Sequence, residues 1–342
     1  MAAQISDGLL MRVKIGGAMQ ILITGAAGML GAKLCAALVA EGRIGTTPIT
    51  GLILHDIAAA PVPEAPFEVI SLAGDLAGAG AAAMLMARRP RVIFHLAGVV
   101  SGEAEANFDL GYRVNLDATR ALLEAIRQAG IAPRLIYAST IAVFGGPFPD
   151  IIPDDFAPTP QSSYGVQKLI CEALISDYSR RGVVDGIALR LPTICVRPCK
   201  ANRAASGFFS GIIREPLNGL AAALPVARDL VHTLASPRAA VGFMQHAAVM
   251  DTAQLGARRA ITLPGVAVSV GEQIAALVRV AGQNTADLIV EVPDAAVWAI
   301  VRTWPQRFAA IRARNLGFEA DASFDAIIAA YIADDLGGRW RQ

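Results

Sequence analysis

Six short apolar runs punctuate the first part of the chain: QILITG, LILHDI, FEVISL, RVIFHLAG, RLIYAST and DGIALRLPTI. Between them lie Ala/Leu-rich stretches at helical spacing, such as GAKLCAALVAEG and LDATRALLEAIRQAG. Strands alternating with helices are joined in parallel by right-handed crossovers, so this order predicts a parallel sheet covered by helices on both faces. Near-continuous apolar strands suit a sheet buried on both sides. With 342 residues, 54% of them hydrophobic and 17% charged, the chain has ample material for such a core.

The regularity weakens after Pro192. RLPTICVRPCKANRAASG reads as loop, SVGEQIAALVRVAG opens with Ser269 and Glu272 at capping-box spacing, and FDAIIAAYIADD reads as a last helix. Lys+Arg at 30 against Asp+Glu at 29 leaves a formal charge of +1, without the basic excess that nucleic acid requires. No apolar run is long enough for a membrane span, and residues 1–18 lack the apolar core of a secretory signal. Cys35, Cys171, Cys195 and Cys199 are too scattered for a disulfide scaffold, and no histidine lies near the Cys195/Cys199 pair. Reduced thiols in a cytoplasmic protein without a metal are the expectation.

After the first strand the chain reads Gly25-Ala-Ala-Gly28-Met29-Leu30-Gly31 and enters a helix. Gly25 permits a tight turn, Gly28 lets backbone reach a pyrophosphate, and Gly31 allows close helix-on-strand packing. The helix N-terminus offers N–H donors to phosphates. Asp56 ends the second strand, where a carboxylate accepts both ribose hydroxyls of NAD and repels the 2′-phosphate of NADP; its alternative is a turn cap. Asp75, with the Leu76 N–H, is placed to contact adenine or to cap a helix. HLAGVVSG is expected to bring Leu96, Ala97, Val99 and Ser101 to the cofactor, as is Leu191 at the end of the sixth strand. His95 is expected to be a packed histidine.

Tyr164 and Lys168 form Y-x3-K in SSYGVQK, downstream of Thr140 in YASTIAVFG. Positions i and i+4 share one helix face, so both can address one ligand. A phenol near pKa 10 is a poor base until a cation stabilises its phenolate. Thr140, with Ser139 as the adjacent hydroxyl, is expected to hold the substrate oxygen. The pattern predicts hydride exchange between a nicotinamide and a secondary alcohol or ketone.

TGAAGMLG, the Asp56 strand end, STIAVFG and PQSSYGVQK together resemble the extended short-chain dehydrogenases/reductases, the NAD-dependent epimerase/dehydratase family. The resemblance implies a Rossmann-type α/β fold, a doubly wound parallel sheet with a smaller mixed α/β C-terminal substrate region. Domains are expected at 19–192 for NAD and 193–342 for substrate, segments of the latter being free to return to the sheet. Residues 1–18 are expected to stand outside the fold. The resemblance selects Thr140 over Ser139 as the catalytic hydroxyl and matches Asn115 to the family's active-site asparagine, a cap or packing role being the alternative. It also implies homodimers pairing the helix after Asn115 with the Tyr164 helix.

Within the family, VVSGEAEANFDLGYRVN, FFSGIIREPLNG, HTLASPRAAV and WPQRFAAIRARNLGF resemble a branch that oxidises the 2-hydroxyl of D-erythronate with NAD. A sugar acid needs a cation, for which Arg197, Lys200, Arg203 and Arg238 are candidates, and hydroxyl contacts, for which Ser163 and Thr193 are candidates; Ser101 can face either ligand. A nucleotide-sugar epimerase or dehydratase, an L-threonine 3-dehydrogenase, and a non-catalytic NAD sensor are the competing readings.

Overall fold

The computed structural model describes residues 18–198 and 205–340. Residues 1–17 of the leader, with Cys199, Lys200 and Arg203, lie outside the described residues. All six expected strands form: β1 (Gln20–Thr24), β2 (Gly51–Asp56), β3 (Glu68–Ala73), β4 (Val92–His95), β5 (Arg134–Thr140) and β6 (Asp185–Leu191). With β9 (Ala260–Thr262) they make a parallel seven-stranded sheet in the order β9-β6-β5-β4-β1-β2-β3. The order reverses between β1 and β4, which opens a crevice at their carboxyl ends.

The period of two along each strand divides the core. Ile21, Ile23, Leu52, Leu54, Phe94 and Ile136 pack on one face against α1 (Met29–Glu41) and α7 (Pro237–Val249). Leu22, Ile53, Ile93, Leu135 and Tyr137 pack on the other against α2 (Ala81–Met86), α4 (Ala118–Ala129) and α5 (Ser163–Arg180). Leu122, Leu123 and Ile126 of α4 are all spent on the sheet, so its outward face carries Arg120, Arg127 and Gln128. A dimer contact there would be made through charged side chains, a point that the apolar look of ATRALLEAIRQAG conceals.

A separate core forms wholly from residues beyond Pro192. It joins α6 (Gly207–Leu217), α8 (Val270–Ala281) and α9 (Phe324–Asp335) through Phe209, Ile213, Leu277, Ile327 and Tyr331. A small sheet, β10 (Val266–Ser269), β8 (Val231–Ala235) and β7 (Thr193–Ile194), continues from the carboxyl end of β6. The Ser269/Glu272 capping box starts α8. This region is not contiguous in sequence, because α7 and β9 return to the main sheet. Among the described residues no helix is long and apolar enough to cross a membrane.

Candidate active site

The glycine loop is as tight as its residues require. Gly25 takes φ +75°, and a Cβ there would lie 2.6 Å from Ala97 N; one on Gly31 would lie 2.2 Å from the Gly25 carbonyl oxygen. Side chains are thus excluded where α1 and the β4 exit meet the loop. Gly28 caps α1 without any side-chain cap, which leaves first-turn N–H groups for an anion. Met29 and Leu30 are the first two helical residues. Asp56 accepts from Ala27 N at 2.9 Å and Ile57 N at 2.7 Å, which places its carboxylate against the loop. Such a cradle beside a carboxylate fits a dinucleotide. Asp75 accepts from Ala77 N at 2.9 Å and pairs with Arg113, so it closes a local turn and does not cap the next helix, whose N-cap is Gly80; Leu76 is buried beside it.

Leu96 and Ala97 leave β4 bonded to Thr24, the latter through the Thr24 hydroxyl. Below them His95 is fully buried between Thr24 and Thr119 at 2.7 and 2.9 Å. Thr119 donates to the Asn115 carbonyl, so it can only accept from His95 Nε2, and Nδ1 accepts from Thr24. Burial takes His95 down to about 3, which keeps it neutral and structural. Asn115 stands in a π-helical turn, Tyr112–Asp117, that opens α4. Its Oδ1 accepts from Val99 N at 2.9 Å and its Nδ2 donates to Gln167 at 2.7 Å, tying the β4 exit to α5. Single π turns recur at functional sites.

The Y-x3-K pair sits in the first two turns of α5, capped by Ser162, whose hydroxyl accepts from Gly165 N at 3.1 Å. A Cβ on Gly165 would lie 2.3 Å from the Ala142 carbonyl oxygen. Glycine therefore lets the tyrosine helix rest on the turn that follows β5. In that turn the Thr140 hydroxyl accepts from Ala142 N at 3.1 Å, which leaves its own proton to donate. Lys168 Nζ donates to the Ala138 carbonyl at 2.9 Å and lies 5.7 Å from the Tyr164 ring centre. Burial pushes Tyr164 up to about 12 and Lys168 down to about 8. Among the protein's own groups desolvation therefore outweighs the expected lowering of the phenol.

Other expected contacts fare differently. Ser139 is not turned toward a substrate. Its hydroxyl donates to Glu172 at 2.5 Å, and Glu172 pairs with Arg190 at 2.7 Å, a buried cross-link of β5, β6 and α5. Alternation along β5 points Ser139 and Thr140 to opposite sides. Arg238 is likewise corrected: its guanidinium pairs with Asp334 at 2.5 Å on the exposed surface. Ser163 is held through its backbone by Glu105 of α3 (Ser101–Ala106), the helix that Ser101 begins. Leu191 pairs alongside Thr140. Arg197 reaches Ser206 at 3.1 Å, and Thr193 reaches His232 at 2.7 Å. Glu172 had a signal, since it lies one turn after Lys168 at i+4; Arg113, Gln167 and His232 had none in the sequence.

The chain matches the NAD dependent epimerase/dehydratase family over residues 21–252 and belongs to it. It is 49% identical over 321 residues to a D-erythronate dehydrogenase from Cupriavidus necator, covering 92% of this chain and 98% of that protein. A D-erythronate dehydrogenase from Haemophilus influenzae is 40% identical, with 93% and 100% covered. The crystal structure of a nucleoside-diphosphate-sugar epimerase from Agrobacterium tumefaciens aligns with a TM-score of 0.93 at 51% identity, covering 95% of this chain and 96% of that one.

Proposed function

We propose that this chain oxidises the 2-hydroxyl of D-erythronate with NAD⁺, giving 2-dehydro-D-erythronate and NADH. The observation that carries the reading is the 49% identity, over nearly the whole of both chains, to a D-erythronate dehydrogenase. The clustering of Thr140, Tyr164 and Lys168 at one sheet end supports it.

NAD⁺ held by Gly25, Gly28, Gly31 and Asp56 supplies the hydride acceptor. The protein's part is proton transfer and alignment. Thr140, with its proton free to donate, holds the reacting oxygen. Tyr164 removes the C2 hydroxyl proton. Burial alone sets it too high for a base, so its phenolate depends on positive charge from Lys168, to which an oxidised nicotinamide would add when bound. Arg197 is the described cation assigned to the carboxylate. Homodimerisation belongs to the same proposal and is read directly by sedimentation.

The close likeness to the Agrobacterium nucleoside-diphosphate-sugar epimerase raises a second reading, a nucleotide-sugar epimerase, which returns its hydride. Incubation with NAD⁺ and four-carbon acids separates the two. NADH should accumulate with D-erythronate well above L-threonate or L-threonine; tight NAD binding without NADH from any acid favours the epimerase. Tyr164→Phe should lower kcat by about 10²- to 10⁴-fold with NAD affinity kept. Near-wild-type turnover would remove Tyr164 from the chemistry.

A further inference from the structure

Gln167 stands on α5 between Tyr164 and Lys168, and its side chain is shut away from solvent altogether, at 0% exposed. Its Oε1 accepts from Asn115 Nδ2 at 2.7 Å, while its Nε2 finds no partner among the described residues. A Cβ on Gly111, which precedes the π turn, would lie 2.7 Å from that Nε2, so the glycine makes the room in which the amide sits. Burying a glutamine with half its hydrogen-bonding capacity unused costs stability that packing alone does not return.

Backbone groups fix the polarity of the Gln167–Asn115 contact. The Val99 N–H only donates, so the Asn115 atom 2.9 Å from it is Oδ1; the Val99 carbonyl only accepts, so the atom 3.2 Å from it is Nδ2. Asn115 thus brackets both polar groups of Val99, and Gln167 must meet Nδ2 with its oxygen. Of the two acceptors for Nδ2, Gln167 is the nearer, so it holds the asparagine amide in place. The bracketed segment borders the chemistry on both sides. A Cβ on Gly25 would lie 2.6 Å from Ala97 N, and one on Gly98 would lie 2.8 Å from Asn115 Oδ1 and 3.6 Å from Lys168 Nζ. Residues 97–99 therefore span the gap from the glycine loop to Lys168. A dinucleotide reaching from one to the other must pass this backbone.

We propose that Gln167 is a positioning residue for hydride transfer: by locking Asn115 it sets the backbone of residues 97–99, and with it the nicotinamide half of the cofactor, against Tyr164 and Lys168. The proposal rests on the dehydrogenase reading above. Gln167 touches neither cofactor nor substrate and acts through Asn115. Its loss should therefore slow turnover more than it weakens cofactor binding, which the glycine loop and Asp56 still carry.

The test pairs hydrogen exchange at the Val99 amide of the NAD-free, full-length protein with steady-state oxidation of D-erythronate. Gln167→Met keeps length and apolar fit but offers no acceptor oxygen. It should speed Val99 exchange about tenfold and lower kcat about tenfold, with the Kd for NAD⁺ within about threefold of wild type. Asn115→Leu supplies the background that shows the route: there Gln167→Met should change either readout by less than about twofold. Should Gln167→Met alone misfold, the double variant, which leaves no Asn115 donor orphaned, is compared with Asn115→Leu for the same equality. Unchanged Val99 exchange in Gln167→Met would overturn the proposal, as would a kcat kept at the wild-type level. A loss as large in the Asn115→Leu background as in wild type would do the same, since Gln167 would then not act through Asn115. The exchange measurement needs no substrate, so it decides the proposal even where wild type leaves D-erythronate untouched, a result that removes the substrate reading alone.

Discussion

Replacing Lys168 with methionine should make this protein more stable while ending its chemistry. Lys168 is 3% exposed, and its ammonium has the Ala138 carbonyl at 2.9 Å and the Tyr137 ring centre at 4.6 Å as partners. These do not replace its lost hydration, and burial takes it from 10.5 to about 8. At about 1.4 kcal/mol for each pH unit, holding the charged form in the fold costs about 3 kcal/mol at pH 7. Methionine fills similar length without charge. Because the lowered group is a base, the unfolded chain binds its proton more tightly between about 8 and 10.5. Wild-type stability therefore rises with pH through that window, and the cost is fully present below it. Tyr164 acts in the opposite sense, its raised value making stability fall as pH climbs from 10 to about 12, so the lysine is best read below pH 10. Guanidinium unfolding of NAD-free protein should show Lys168→Met more stable by about 2–3 kcal/mol at pH 7, with the gap roughly halved by pH 9.5 and an unchanged m-value. NADH formation should be abolished. A variant no more stable than wild type at pH 7 would refute the reasoning, because the buried ammonium would then carry no net cost.

Further substitutions probe the surrounding frame. Glu172→Gln leaves the buried Arg190 guanidinium without its carboxylate and should cost about 3–5 kcal/mol in denaturant unfolding, whereas Glu172→Leu with Arg190→Leu should recover most of it; a loss below about 1 kcal/mol would mean the pair is solvated. Gly31→Ala puts a methyl 2.2 Å from the Gly25 carbonyl oxygen, so NAD affinity should fall at least about tenfold by fluorescence titration, and unchanged affinity would show that the loop yields. Asp56→Ala removes the acceptor of Ala27 N and, on the proposed reading, the barrier to a 2′-phosphate. The ratio of kcat/KM for NAD over NADP should drop about tenfold or more, and an unaltered ratio would take Asp56 out of the ribose site.

Features written in local periodicity were legible without coordinates. Short, near-continuous apolar runs predicted β1 to β6, because each strand feeds two opposed cores and needs apolar side chains on both faces. The glycine loop and the Y-x3-K pair were equally plain, since a tight turn and one helix face are properties of neighbouring residues. The Ser269/Glu272 cap belongs to the same class. What the tertiary structure alone decided are the partners that meet across long stretches of chain. Arg238 could not be removed from the carboxylate candidates until Asp334 came beside it, nor Ser139 until Glu172 and Arg190 claimed its hydroxyl. Hydrogen-bond polarity and ion pairing are settled by whichever groups are brought within about 3 Å and shut away from water, and no local spacing records which groups those will be.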